Sequence, residues 1–266
     1  MGSWGMDFST IEVTVSGTRA DIILNRPEKL NPLSTTALTE LVEAARCVDS
    51  SPEVKVAVVR GRGRAFSAGA DLASFSPGGG AAPGAGAARE AADAGRRMAD
   101  AVESMRAVTV ARLHGHCVGG GLVLAAACDL RVAADDTRFS IPEVDLGIPL
   151  AWGGIPRLVR EIGPALTKEL VMTCRPFTAD EARAAGFLNR VVPAADLDDA
   201  VEDLVGQLEK KSALTLTATK RHTNAVTEGI VGTARAWNDA DSLVTALRDP
   251  ESRSVAAAYL KRFRRD

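Results

Sequence analysis

The chain has 266 residues, 46% of them apolar and 25% charged, with 32 Lys and Arg against 34 Asp and Glu. That length supports one large or two small domains around a core that needs no disulfide or metal staple. The net charge of −2 excludes a global basic field for nucleic acid, and no apolar run reaches the roughly 18 residues of a membrane span. Met1–Thr10 carries neither the basic nor the apolar stretch of a secretory leader. Cys47, Cys117, Cys128 and Cys174 form no CxxC pair; they read as free thiols of a reducing, cytoplasmic protein.

Ile11, Val13 and Val15 alternate with polar residues, Ser16-Gly17 can turn, and an apolar run resumes from Ala20 to Leu24 until Arg26-Pro27 ends it. From Ser34, the apolar residues Leu38, Leu41, Val42, Ala45 and Val48 share one helical face. Val54 to Arg60 is a β-branched run that suits a strand buried on both faces. Strand, helix and strand in this order predict parallel βαβ units. Pro77 to Ala88 is rich in Gly, Ala and Pro and reads as a loop, with a helix from about Arg89 to Met105. Val108 to Leu113 and Leu130 to Ala133 read as strands, and Leu122 to Ala127 as a helix. Thr178-Ala-Asp-Glu181 is a capping box and Gly186 stands at the C′ end of its helix. Leu197, Val201, Leu204, Val205 and Leu208 form an apolar stripe, and the remainder to Tyr259 is helix-prone, ending in the basic stretch Lys261 to Arg265. The change of composition near Ala194 divides the chain into an α/β core, 1–194, and a helical region, 195–266.

Three segments could carry chemistry. Arg64-Ala-Phe-Ser-Ala-Gly-Ala-Asp-Leu72 follows a buried strand; its small residues let backbone approach a ligand, and N–H groups near Ala70 could hold an oxyanion. A plain strand-to-helix turn capped by Asp71 is the structural alternative. Gly119-Gly120-Gly121 precedes an apolar helix and allows either a second N–H at the same ligand atom or close helix–strand packing. It lacks the Lys-Ser/Thr of a phosphate loop and the spacing of a dinucleotide fingerprint. In Phe139-Ser-Ile-Pro-Glu143-Val-Asp-Leu-Gly147, Glu143 is either a surface glutamate or a carboxylate held in an apolar pocket, where a raised pKa suits proton exchange with carbon. His114 and His116 have no third ligand nearby, so no metal is expected. Ser67 does not stand in the G-x-S-x-G pattern of a hydrolase nucleophile.

Together these segments resemble the enoyl-CoA hydratase/isomerase (crotonase) superfamily. The matching pieces are Asn25-Arg-Pro-Glu-Lys-Leu-Asn31, Ala65 to Leu72, Gly115 to Gly121 with Cys128-Asp129-Leu130, and Phe139 to Gly147 with Gly153-Gly154 and Arg157-Leu158. Ala182, Ala184, Gly186, Val191 and Val192 continue the match. The resemblance implies an α/β fold with a ββα spiral core and a C-terminal helical trimerisation region, in a homotrimer or a hexamer built as a dimer of trimers. It implies an acyl-CoA thioester as substrate and no separate cofactor. The thioester oxygen would be held by the N–H groups of Ala70 and Gly120. Ala68, Asp71 and Leu72 would line the CoA site, with Lys29 and Leu30 near the adenine or phosphates, and a tail Arg or Lys could reach a neighbouring subunit's CoA.

One departure decides the expected reaction. Hydratases of the family carry a glutamate two residues after the triple glycine and a second at the position of Glu143. Here the first position is Val123 and only Glu143 remains. Valine offers no lone pair to hold a water. The pattern resembles the Δ3,Δ2-enoyl-CoA isomerases, in which one carboxylate moves a proton between carbons. Ala151 stands where the dienoyl-CoA isomerase and dehalogenase branches carry an aspartate. The rival expectations are hydration, with water held by His116 or Asp145, and acyl-CoA binding without turnover.

Overall fold

A computed structural model describes residues 4–71, 84–236 and 238–262. The chain opens with an edge strand, Trp4–Asp7 (β1), antiparallel to Ile11–Ser16 (β2), which in turn pairs antiparallel with Arg19–Leu24 (β3). Gly17, at φ 58°, supplies the left-handed residue of the β2–β3 turn. β1 was not legible in the sequence, because Trp-Gly-Met-Asp is too short to show alternation. Thr35–Asp49 (α1) starts where Ser34 Oγ accepts a hydrogen bond from the Ala37 N–H at 3.2 Å.

Val56–Gly61 (β4) joins β3 in parallel, pairing Ile22 with Val59. Ala85–Glu103 (α2) follows. It starts earlier than expected: 85–88 are already helical, consistent with the high helix propensity of alanine, while 77–83 of the expected loop lie outside the described residues. Val108–Leu113 (β5), His116–Val118 (β6), Gly120–Ala127 (α3), Leu130–Ala134 (β7), Arg138–Ser140 (β8) and Gly154–Thr173 (α4) come next. α4 is broken at Gly163 (φ 76°, ψ 164°), where Pro164 cannot continue the backbone ladder. The last elements are Phe177–Thr178 (β9), Ala179–Ala184 (α5), Arg190–Val192 (β10), Leu197–Glu209 (α6), Ala213–Ile230 (α7), Asp239–Ala246 (α8) and Pro250–Arg262 (α9). Thr178 caps α5 as expected, its Oγ accepting the Glu181 N–H, but the Glu181 carboxylate turns to Arg175 and does not close the box.

The strands form a seven-stranded sheet, β1-β2-β3-β4-β5-β7-β10, parallel from β3 onwards, and a small sheet, β6-β8-β9. The expected βαβ unit is therefore richer than strand and helix. β5-β6-α3 and β7-β8-α4 each place a short second strand between the large-sheet strand and the helix. Of the expected run Val54 to Arg60, residues 56–59 are buried in the large sheet, while Lys55 and Arg60 are half-buried. Ala57 and Val59 join the core under α1 and α2, while Val56 and Val58 meet Val110, Val132 and the α6 stripe of Leu197, Val201, Leu204 and Val205. α6 thus covers one face of the sheet. Among the described residues, no helix is long and apolar enough to cross a membrane.

α7 is fastened by a buried charge. The Lys220 ammonium, 5% exposed, lies 2.7 Å from the Asp129 carboxylate and donates to the Ala107 carbonyl at 3.0 Å. Asp129 also accepts from the N–H and hydroxyl of Thr109. Removing one partner of such a pair strands the other. Lys220→Met is expected to lower unfolding stability by about 3 kcal/mol, read by urea denaturation at fixed protein concentration; an unchanged midpoint would show the pair to be neutral.

Candidate active site

The second layer of short strands builds the site. Leu33, the 67–70 segment, β6 and β8 lie side by side as parallel rungs: Leu33 bridges Ala70, Ser67 bridges Cys117, and β6 pairs with β8. The Leu33 N–H donates to the Gly69 carbonyl at 2.8 Å, and the Leu33 carbonyl accepts the Asp71 N–H at 3.1 Å. In a parallel bridge of this pattern the N–H of the opposed residue, Ala70, faces away from Leu33. Ser67 locks the rung, since its hydroxyl donates to the Asn31 carbonyl at 2.8 Å and accepts the Gly69 N–H at 3.1 Å. Asn31 fixes the preceding turn through both side-chain ends, accepting the Arg26 N–H and donating to the carbonyls of Arg62 and Ala65.

The next rung ends at Gly119, whose φ of 48° only glycine adopts easily. Its N–H is consumed by the Ser140 carbonyl at 2.9 Å. Gly120 opens α3, so its N–H lies among those that a helix start leaves without an intrahelical partner. Gly69 packs so closely that a Cβ there would lie 3.5 Å from the Gly120 nitrogen. Ala70 and Gly120 therefore come from neighbouring rungs and face one cavity.

That cavity is small, about 20 Å³, and is lined by Ala70, Gly120, Val123, Glu143, the 148–152 segment and Leu243 of α8. Glu143 follows the third rung, in a turn closed by the Ile148 N–H donating to the Glu143 carbonyl at 2.9 Å. It is the one titratable side chain among the described residues lining the cavity. It is only 9% exposed, and its Oε2 has no hydrogen-bond partner among the described residues. Burial pushes its carboxyl up to about 7, opposed by a hydrogen bond from its own backbone. A Cβ on Gly119 would overlap Glu143 Oε1, so the glycine leaves room for the carboxylate. The surface-glutamate alternative is thereby set aside.

The other expected residues are spread more widely. Val123 is fully buried in the cavity wall, and Ala151 stands beside it. Lys29 is exposed, and Leu30 and Ala68 are half-buried neighbours joined by the Ala68 N–H donating to the Leu30 carbonyl. Asp71 is half-buried and pairs with Arg26 at 3.2 Å. These four flank the rung and do not line the cavity around Glu143. Leu72 and tail residues 263–265 lie outside the described residues. His116 is exposed, and Asp145, whose N–H donates to Cys174 Sγ, does not line the cavity, so neither stands where a water beside Glu143 would need it. His114 bonds Gly63 and Arg112. Among the described residues no group of three His, Cys, Asp or Glu could hold a metal. Trp152 and Leu243 were missed as wall residues. Trp-Gly-Gly was a visible flag, whereas nothing in the α8 sequence points to a site a hundred residues upstream.

The buried carboxyl has a stability consequence. Its pKa is higher folded than unfolded, so its contribution is fully present below about 4.5 and is lost as pH rises through about 7. Glu143→Gln is expected to be more stable than the parent at pH 8, by about 3 kcal/mol, with the gain shrinking as pH falls towards 5. Thermal or urea unfolding across this range checks it, and a pH-independent difference would contradict it.

The profile of the family described as enoyl-CoA hydratase/isomerase matches residues 15–263. A crotonyl-CoA hydratase of Syntrophomonas wolfei is 34% identical over 77% of each chain. A peroxisomal Delta(3,5)-Delta(2,4)-dienoyl-CoA isomerase of Arabidopsis thaliana is 32% identical over 96% of each. A Thermobifida fusca protein described as an enoyl-CoA hydratase, solved in complex with CoA, superposes with a TM-score of 0.76 at 30% identity over 88% of this chain and 91% of that one. The rungs, the two sheets and the C-terminal helices are those of the crotonase fold, and the chain belongs to the enoyl-CoA hydratase/isomerase family of acyl-CoA-processing enzymes.

Proposed function

We propose that the chain is a Δ3,Δ2-enoyl-CoA isomerase-like enzyme in which Glu143 is the sole acid/base. The observation that carries this reading is a single desolvated carboxylate, one oxygen of which has no partner among the described residues, in a cavity whose other described lining residues, Val123 among them, are apolar. The N–H groups of Ala70 and Gly120 polarise the thioester oxygen of a 3-enoyl-CoA. The Glu143 carboxylate removes a proton from C2, and the C–H electron pair moves into a dienolate whose oxygen charge the two N–H groups hold. The carboxyl then returns the proton at C4, giving the 2-enoyl thioester. A carboxyl poised near 7 suits both halves of this exchange. Ala151 supplies no second acid, which separates the site from the dienoyl branch despite the 32% identity to one of its members.

We assign the CoA moiety to Lys29, Leu30, Ala68, Asp71 and Leu72 on the strength of their motif positions, and we assign no cofactor. The helical region 195–266 serves in this reading as the oligomerisation surface of a homotrimer or dimer of trimers. The four free cysteines suit a reducing compartment such as the cytoplasm. Hydration is the second reading, favoured by the name of the 34%-identical relative.

Glu143→Gln is expected to lose about a hundredfold to ten-thousandfold in kcat for 3-enoyl-CoA isomerisation while KM stays near the parent's; isomerisation at the parental rate would refute the role. For the parent, kcat/KM should rise with pH through about 7 and level off above it, because the base must be ionised. A profile flat between pH 6 and 8 would point to another base. Efficient turnover of 2-enoyl-CoA with water would favour the hydratase reading instead.

A further inference from the structure

Trp152 is 7% exposed and lines the same cavity as Glu143 and Gly120. Its backbone is in the left-handed region, at φ 61°, followed by Gly153 at φ 68°. A bulky residue there is strained and persists only where its surroundings over-determine it. Two buried groups do so. Arg157, whose side chain is fully buried against Asp100 and Glu103, donates through Nη1 to the carbonyls of Trp152 (3.4 Å) and Gly153 (3.2 Å). The Asp239 carboxylate accepts the Gly153 N–H at 2.9 Å. The indole itself is slotted between α2 and α3, since a Cβ on either Gly95 or Gly120 would overlap the ring. With the backbone tied and two helix backbones on the ring, the indole cannot swing aside to lengthen the cavity.

We propose that Trp152 is the specificity-determining wall of the acyl pocket and restricts it to short-chain acyl thioesters. This rests on reading the cavity as the acyl site. At about 20 Å³ the cavity falls far below the ~300–1,000 Å³ of small-molecule pockets. A thioester seated beside Glu143 must open this space by moving the walls that can yield, and the tied indole is not one of them, so a long chain finds no room past Trp152. Among the described residues, Leu243 and Leu150, both buried, continue the apolar wall and offer no polar partner to a functionalised chain.

The test is calorimetric binding of butyryl-CoA and decanoyl-CoA, saturated thioesters that the enzyme cannot isomerise. The parent is expected to bind butyryl-CoA at least tenfold more tightly. Trp152→Ala should tighten decanoyl-CoA at least tenfold while leaving butyryl-CoA within threefold, and Trp152→Phe should move the ratio in the same direction by less. A parent that binds decanoyl-CoA as tightly as butyryl-CoA overturns the proposal. So does either variant keeping the parental ratio with a native circular dichroism spectrum; should Trp152→Ala fail to fold, the parent and Trp152→Phe decide. Binding of neither thioester would overturn the acyl site itself. Normal binding ratios without any isomerisation would strike only at the reaction assigned to Glu143.

Discussion

Parallel rungs of short strand, stacked beside the main sheet, impose the constraint from which the site follows. Each rung spends its backbone hydrogen bonds on its neighbours and delivers its last residue to the same edge. Leu33 consumes the groups flanking Ala70 and Ser140 consumes the Gly119 N–H, which leaves the amides of Ala70 and Gly120 at the edge. In the proposed reaction the thioester oxygen satisfies these amides, which would otherwise be costly to bury. The same edge receives Glu143 from the next turn of the chain. In the proposed reaction, donors and base thus share one scaffold, and their spacing is fixed by strand pairing and not by side-chain flexibility.

The carboxylate is the counterpart of those amides. It is held in apolar surroundings with one oxygen unsatisfied, which destabilises its charged form and so the folded protein at neutral pH. The rest of the molecule offsets that cost through a continuous core beneath α1 to α4 and a second cluster under α6. A site that is electrostatically unhappy inside a well-packed frame is the usual arrangement where proton transfer to carbon must occur near pH 7.

Long periodic segments were legible in the sequence. The α1 stripe, the Val54 to Val59 run and the α6 stripe each showed their period, and the structure places them where that period requires. The short strands 116–118 and 138–140 were not, because three residues carry no period and their pairing is set by neighbours distant in the chain. β1 and β10 were lost for the same reason. At the site, Glu143, Ala70 and Gly120 were legible through glycine placement and the family resemblance. Neither Trp152 as a wall nor the Arg157 and Asp239 clamp was, since Arg157 reads as an ordinary basic residue in α4 and Asp239 as an ordinary acidic one in α8. Leu243 joins the cavity only because α8 returns across α2, a long-range contact that no local pattern announces.

Gly147 closes the turn that carries Glu143, and its α-carbon abuts the Ser252 carbonyl of α9 so tightly that no side chain could be inserted between them. The final helix is therefore a backstop for the catalytic turn. In the proposed reaction, a substitution in that helix acts on the seat of the base as well as on the surface.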